Sequence, residues 1–163
     1  MCHEEIKLRS ATRQDAVGIW HLANEPAVRR NSFNSDSISL ESHLVWYQQK
    51  IDSPNSRLWV VDGDGEIAAN VRYDRLDDHE IEVHISVAAG YRGKGLGTKV
   101  LRLSTPLACE EFNSPRIVGM VFKENLASVR AFEKAGFRKA GYITEKGRSC
   151  ICFERFCSSA GSD

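Results

Sequence analysis

Val83-His-Ile-Ser-Val-Ala-Ala-Gly-Tyr-Arg-Gly-Lys-Gly-Leu-Gly-Thr-Lys99 carries two kinds of backbone in seventeen residues. Its first part continues an alternation that begins at Glu80: Ile81, Val83, Ile85 and Val87 fall on one face, and Glu82, His84 and Ser86 on the other, as in a half-buried strand. Its second part places Gly93, Gly95 and Gly97 at alternate positions directly before a helical stretch bearing Val100, Leu101, Leu103, Leu107, Ala108 and Phe112. Alternate glycines let successive backbone N–H groups point at one spot, and the helix N-terminus adds partial positive charge there. A strand, a glycine loop and a helix in this order make a cradle for a pyrophosphate, with Arg92 and Lys94 as mobile cations beside it. Other phosphate motifs fail on spacing. A Walker A loop needs a glycine five residues before a Gly-Lys-Ser/Thr, and a dinucleotide fingerprint needs G-x-G-x-x-G, whereas this loop reads G-x-G-x-G.

Upstream, Leu58-Trp-Val-Val61 and Ile67 to Tyr73 flank Asp62-Gly-Asp-Gly65, the pattern of a hairpin. Asp62, Asp64 and Glu66 do not make a calcium loop, because Ile67 and Tyr73 stand where that motif needs Gly and Glu. Ile6 to Ser10 alternates like a strand, Thr12 and Asp15 open a helix ending near Glu25-Pro26, Arg29 to Asp36 reads as a polar connection, and Ser39 opens a helix to about Ile51. Downstream, Pro106 should kink the helix that follows the glycine loop. Ile117 to Phe122 is a strand, Asn125 to Ala135 a helix closed by Gly136, and Arg148 to Phe156 a last strand. The expected class is α/β: a central, mixed but mostly antiparallel twisted sheet of about six to seven strands flanked by about four helices.

The 163 residues suit one domain, expected over 1–157, with 158–163 as a disordered tail. Lys plus Arg number 22 against 22 Asp plus Glu, which argues against a nucleic-acid partner, since such affinity needs a basic excess. No apolar run approaches a membrane span, so no membrane partner is expected, and Met1 to Ser10 lacks the apolar core of a signal peptide. The five cysteines form no C-x-x-C pair, and free thiols in a cytoplasmic protein are the expectation. His79 and His84 are five apart on a strand, which does not fit H-E-x-x-H, so no metal is expected.

Arg92-x-x-Gly95-x-Gly97 after a strand, followed by Asn125-x-x-Ser128-x-x-x-Phe132-x-x-x-Gly136-Phe137, resembles the GNAT superfamily of acyl-CoA-dependent N-acetyltransferases over essentially the whole chain. The resemblance implies acetyl-CoA as cosubstrate. Its pyrophosphate would lie on the backbone of Arg92, Gly93, Lys94, Gly95, Gly97 and Thr98. Its pantetheine would pair like an added strand with Ile85, Ser86 and Val87, touch Asn125 and Ser128, and bring the thioester beside Phe132. Many members of the family carry Tyr at the position of Phe132 as general acid, and phenylalanine has no proton to give.

The incoming amine must be neutral to attack, so a base near it is useful. Glu82 is the first candidate, on the strand that leads into the loop, and His84, two residues on, is the second. The acceptor site is expected before the sheet, where Arg29, Arg30 and Asn31 would suit a diphosphate or sugar hydroxyls. This region and Pro54 to Trp59 resemble acetyltransferases acting on nucleotide-linked amino-deoxysugars of the pseudaminic acid type, with Ala23-Asn24-Glu25-Pro26 standing in place of their Arg-Asn-Asp-Pro. The expected function is acetyl transfer to a primary amine of such a small molecule. The alternatives are a protein N-terminal acetyltransferase of the ribosomal-protein type and a non-catalytic acyl-CoA sensor. A homodimer is left open.

Overall fold

The computed structural model describes residues 5–158. Seven strands form one sheet: β1 (Leu8–Ser10), β2 (Ser56–Asp62), β3 (Ile67–Arg75), β4 (Glu80–Val87), β5 (Arg116–Phe122), β6 (Arg138–Glu145) and β7 (Arg148–Phe156). Their spatial order is β1-β2-β3-β4-β5-β7-β6, antiparallel throughout except for the parallel pair β4 and β5. The helices are α1 (Ala16–Ala23), α2 (Pro26–Arg30), α3 (Leu40–Asp52), α4 (Leu96–Phe112) and α5 (Leu126–Lys134).

Apolar alternation places the core on both faces of the sheet. On one face Val71, Tyr73, Ile81, Val83 and Phe153 pack with Val100 and Leu101 of α4 and Phe132 of α5. On the other, Leu58, Val60 and Ile67 pack with Ile19 and Leu22 of α1 and Tyr47 of α3. Full burial of side chains such as Ile81 or Leu101 stabilises the fold by roughly 1.5–3 kcal/mol each.

Several sequence expectations needed correction. The connection after α1 contains α2, a short helix with Pro26 in its first turn, where the missing proline N–H costs nothing. The strand β6 was not anticipated. It is an edge strand exposed along most of its length, so it shows no apolar alternation, and only Lys146 and Gly147, both at positive φ, mark its hairpin with β7. The helix α4 runs unbroken through Pro106. Cys109 and Cys157, expected as free thiols, form a disulfide joining α4 to the segment after β7, while Cys150 and Cys152 are free. The cysteines therefore lend no support to a reducing compartment. No described helix is long and apolar enough to cross a membrane. The tail from Ser159 onward lies outside the described residues.

Candidate active site

The parallel pair at the centre of the sheet is incomplete. β4 pairs with β3 from Ile81 to Val87, and β5 pairs with β7 along its whole length, but β4 and β5 meet only at Glu80–Arg116, Ile81–Ile117 and Glu82–Val118. Beyond these three pairs the strands diverge. A side-chain wedge sits where they part: a Cβ on Gly119 would lie 2.5 Å from Phe132 Cε1 and 3.3 Å from Val83 Cγ1, so only glycine leaves room there for the Phe132 ring. That ring is 2% exposed, stacked on Phe153 at 5.2 Å and edge-on to Phe137 at 5.0 Å.

The divergence leaves strand backbone without a partner. Ala88 N–H donates to Ala68 O and Leu76 N–H to Glu80 O, so the even-numbered peptide groups of β4 face β3. By alternation those of Val83, Ile85 and Val87 face the gap. The Glu82–Val118 pair takes up the Val83 N–H, the Val87 carbonyl accepts from Arg92 Nε at 2.9 Å, and the Val83 carbonyl and both peptide groups of Ile85 remain open to an added strand. Ser86, expected to offer its backbone, has its peptide group turned to β3 and lines the cleft instead.

At the end of β4 the glycine loop leads directly into α4. Gly93 and Gly95 have φ of +76° and +77°, a backbone that only glycine adopts without strain, and Gly95 is the residue from which α4 starts. The first bond of that helix is Lys99 N–H to Gly95 O, so the N–H groups of Leu96, Gly97 and Thr98 have no acceptor among the described residues. Gly97 passes close to Ala131 of α5 and Val87. Lys94 is exposed, with Nζ 3.4 Å from Gly90 O. Arg92 is not the mobile cation expected from the sequence: it donates from Nη2 to Glu25 Oε2 at 2.7 Å, and Glu25 also accepts from Ala89 N–H at 3.1 Å. Adjacent Asn24 holds Ile38 from both sides, accepting its N–H at 2.7 Å and donating to its carbonyl at 2.9 Å. The end of α1 thus fastens both the cofactor-type loop and the segment leading into α3.

A cleft of about 510 Å3 opens between β4, β5 and the α1–α3 layer. Asn125 and Ser128 line it at the start of α5, where Asn125 caps the helix by accepting from Ser128 N–H and donating to Ser128 Oγ at 3.0 Å. Phe132 lines it one turn further on. None of the described tyrosines does. Of the three expected acceptor residues, Arg29 and Asn31 line the cleft and Arg30 does not. Arg29 is committed to structure: Nε donates to Ala23 O and Nη1 to Asn34 O, closing the connection after α2, and burial lowers its pKa. Arg30 is exposed, and its carbonyl accepts from Arg148 of β7.

The sheet face toward α1–α3 carries a ladder of polar side chains, Asn70, Arg72 and Asp74 of β3 opposite Ser86, His84 and Glu82 of β4, of which Asn70, Arg72, Ser86 and His84 line the cleft. His84 lines the cleft, and Glu82 stands behind it with Oε1 2.5 Å from His84 Nε2. This contact holds the Glu82 carboxyl below the usual carboxylate range against the opposing effect of burial. Asp74 binds Arg72, Lys50 and Ser56, which outweigh its desolvation and lower its pKa as well. Arg72 also stacks over Trp46, 5.0 Å from the ring centroid. The sequence reading missed Asn70, Arg72 and Trp46. The alternation of β3 was the available signal, since it puts Asn70 and Arg72 on the face opposite Val71 and Tyr73.

Comparison with known proteins agrees with this geometry. Residues 5–138 match the family model described as an acetyltransferase (GNAT) domain. Spermidine N(1)-acetyltransferase of Escherichia coli (strain K12) is 28% identical over 140 residues, 85% of this chain and 75% of that protein. L-amino acid N-acetyltransferase AaaT of the same organism is 23% identical over 141 residues, 84% of this chain and 85% of that protein. In fold, the chain is similar to the spermidine N-acetyltransferase of Vibrio cholerae solved with CoA and spermine, with a TM-score of 0.84 and 20% identity, covering 94% of this chain and 96% of that one. It is also similar to AAC(6')-Ib solved with ribostamycin and coenzyme A, with a TM-score of 0.79 and 18% identity, covering 94% of each chain. With its split sheet, glycine loop and capped α5 helix, the chain belongs to the GNAT acetyltransferase family.

Proposed function

We propose that the protein transfers an acetyl group from acetyl-CoA to the primary amine of a small molecule, and that this molecule is a nucleotide-linked amino-deoxysugar. The observation that carries the reading is the unpaired backbone at the Val83 carbonyl and Ile85, followed by the free N–H groups of Leu96, Gly97 and Thr98. The first part suits the amides of a pantetheine arm, and the second suits a pyrophosphate. Acetyl-CoA, when bound, supplies an activated acyl group as a thioester. Asn125 and Ser128 face the same cleft from α5 and offer further polar contacts to the arm.

His84 is the base that touches the acceptor. Ionised Glu82 accepts the Nε2–H, which fixes the ring and leaves the Nδ1 lone pair for the ammonium proton of the acceptor, directly or through water. Glu82, the first candidate from sequence, becomes the positioning residue, because His84 stands between it and the cleft. Phe132 packs at the cleft and has no proton to offer a leaving thiolate, and none of the described tyrosines lines the cleft in its place. The acceptor assignment is supported by what lines the cleft: Arg72, hydroxyls and amides, with no Asp or Glu among the lining residues. A polyamine would leave several ammonium groups without a carboxylate partner there.

The test is a thiol-release screen with acetyl-CoA against a UDP-linked 4-amino-4,6-dideoxyhexose, spermidine, an aminoglycoside and peptides with free N-termini. Turnover of the nucleotide sugar alone is expected. Preference for peptides would favour the N-terminal acetyltransferase reading, and acetyl-CoA binding without any turnover would favour the sensor.

A further inference from the structure

Asn70 is the polar side chain whose chemistry the reaction above does not use. Its Oδ1 is buried and has no hydrogen-bond partner among the described residues. A buried amide oxygen without a donor is costly, and native structures tolerate one where a ligand or water supplies the missing bond. The residue lines the cleft, directly across the sheet from Ser86 and two positions along β3 from Arg72, which lies opposite His84. One side of this neighbourhood therefore holds a base and the other an acceptor oxygen with nothing to accept from.

We propose that Asn70 is a specificity-determining residue that binds the acceptor by taking a hydrogen bond from its reacting amine or from a hydroxyl beside that amine. This rests on the acetyltransferase reading. The strand position decides between the two ligands that could supply the donor. The open peptide groups of β4 face β5, away from β3, so an arm added to that edge has the whole of β4 between it and Asn70, about 4.8 Å further across the sheet. The acceptor approaches from the α1–α3 face, on which Asn70, Arg72, Ser86 and His84 stand.

The neutral amide also sets selectivity. With no carboxylate lining the cleft, Asn70 provides an acceptor without negative charge beside Arg72, whose own charge is met by Asp74. A polycation finds no carboxylate lining the cleft to pair with its further charges, so an amine carried on a neutral or anionic molecule is favoured over it. A carboxylate at the same place would reverse that preference with almost no change in shape.

The experiment compares wild type, Asn70→Ala and Asn70→Asp, measuring thiol release with the UDP-linked 4-amino-4,6-dideoxyhexose and with spermidine, and the affinity for CoA by calorimetry. Asn70→Ala should raise KM for the nucleotide sugar about tenfold, with CoA affinity unchanged. Asn70→Asp should lower the ratio of kcat/KM for the sugar over that for spermidine by about tenfold or more. Unchanged KM in Asn70→Ala, or an unchanged ratio in Asn70→Asp, would overturn the role of Asn70 while leaving the acetyltransferase reading intact. Weakened CoA binding in both would mean that Asn70 serves the cofactor, also against the proposal. A wild-type protein that turns over neither amine would overturn the acceptor reading and this inference with it.

Discussion

Replacing Gly95 separates the backbone demand of the glycine loop from its charge preference. Its φ of +77° imposes about 1–2 kcal/mol of strain on any residue with a Cβ, and no atom lies within 4 Å of where that Cβ would be. Gly95→Ala should therefore lose only this strain, a fall in Tm of roughly 2–8 °C for a chain of this size. Gly95→Glu carries the same strain and adds a carboxylate at the start of α4, beside the free N–H groups of Leu96, Gly97 and Thr98. A unit charge about 5–8 Å from a bound phosphate costs about 2–3 kcal/mol at an effective dielectric of 20. Screening at physiological salt reduces this, and at least a tenfold weakening of CoA binding should remain relative to Gly95→Ala. Calorimetric titration of CoA into both variants measures the difference. Equal affinities, with both proteins folded, would mean that the phosphates bind elsewhere.

Other perturbations reach different parts of the account. Glu82→Gln should lower kcat at neutral pH by tenfold or more with little change in CoA affinity, because the His84 ring loses its anionic partner; an unchanged pH–rate profile would remove the pair from the mechanism. Gly119→Ala forces a methyl to within 2.5 Å of the Phe132 ring, and a loss of about 1–3 kcal/mol is expected in urea unfolding, with an unaffected midpoint contradicting the wedge. Asp15 accepts two bonds from Arg9 at 2.8 and 2.9 Å and one from Thr12 N–H, and its pKa is lowered. A depressed carboxyl contributes stability that is present above its unfolded pKa of about 4 and lost as pH falls through the folded value. Wild type should thus lose stability below about pH 4 and Asp15→Asn should lose less there, as acid titration followed by circular dichroism would measure. Reduction of Cys109–Cys157, which are separated by 48 residues, should lower stability by up to about 4 kcal/mol, and alkylation of both cysteines in unreduced, denatured protein would show that the bond is absent.

Much of the fold was legible because its central elements obey simple periods. The alternation of Ile81, Val83, Ile85 and Val87 and the glycines after it located β4, the loop and α4, and Asn125 with Ser128 located the start of α5. What escaped lacked a local signal. β6 is exposed on an edge, so its residues carry no buried face, and α2 is a single short turn among polar residues. The loop's cation was misread because its partner Glu25 lies 67 residues away, a pairing that no spacing reveals. For the same reason Glu82 was ranked ahead of His84: both stand on one face of one strand, and only the closure of α1–α3 over that face decides which lines the cleft.

The split between β4 and β5 is best probed at its own backbone. Amide hydrogen exchange with and without CoA reports on Ile85, which lies beyond the last β4–β5 pair, and on Leu96, Gly97 and Thr98, whose N–H groups have no acceptor among the described residues. CoA bound as a strand in the gap, with its pyrophosphate at the start of α4, should slow exchange at these amides and leave the edge strand β6 unchanged. Saturation with CoA and no protection at Ile85 would contradict the placement of the cofactor, and with it the site.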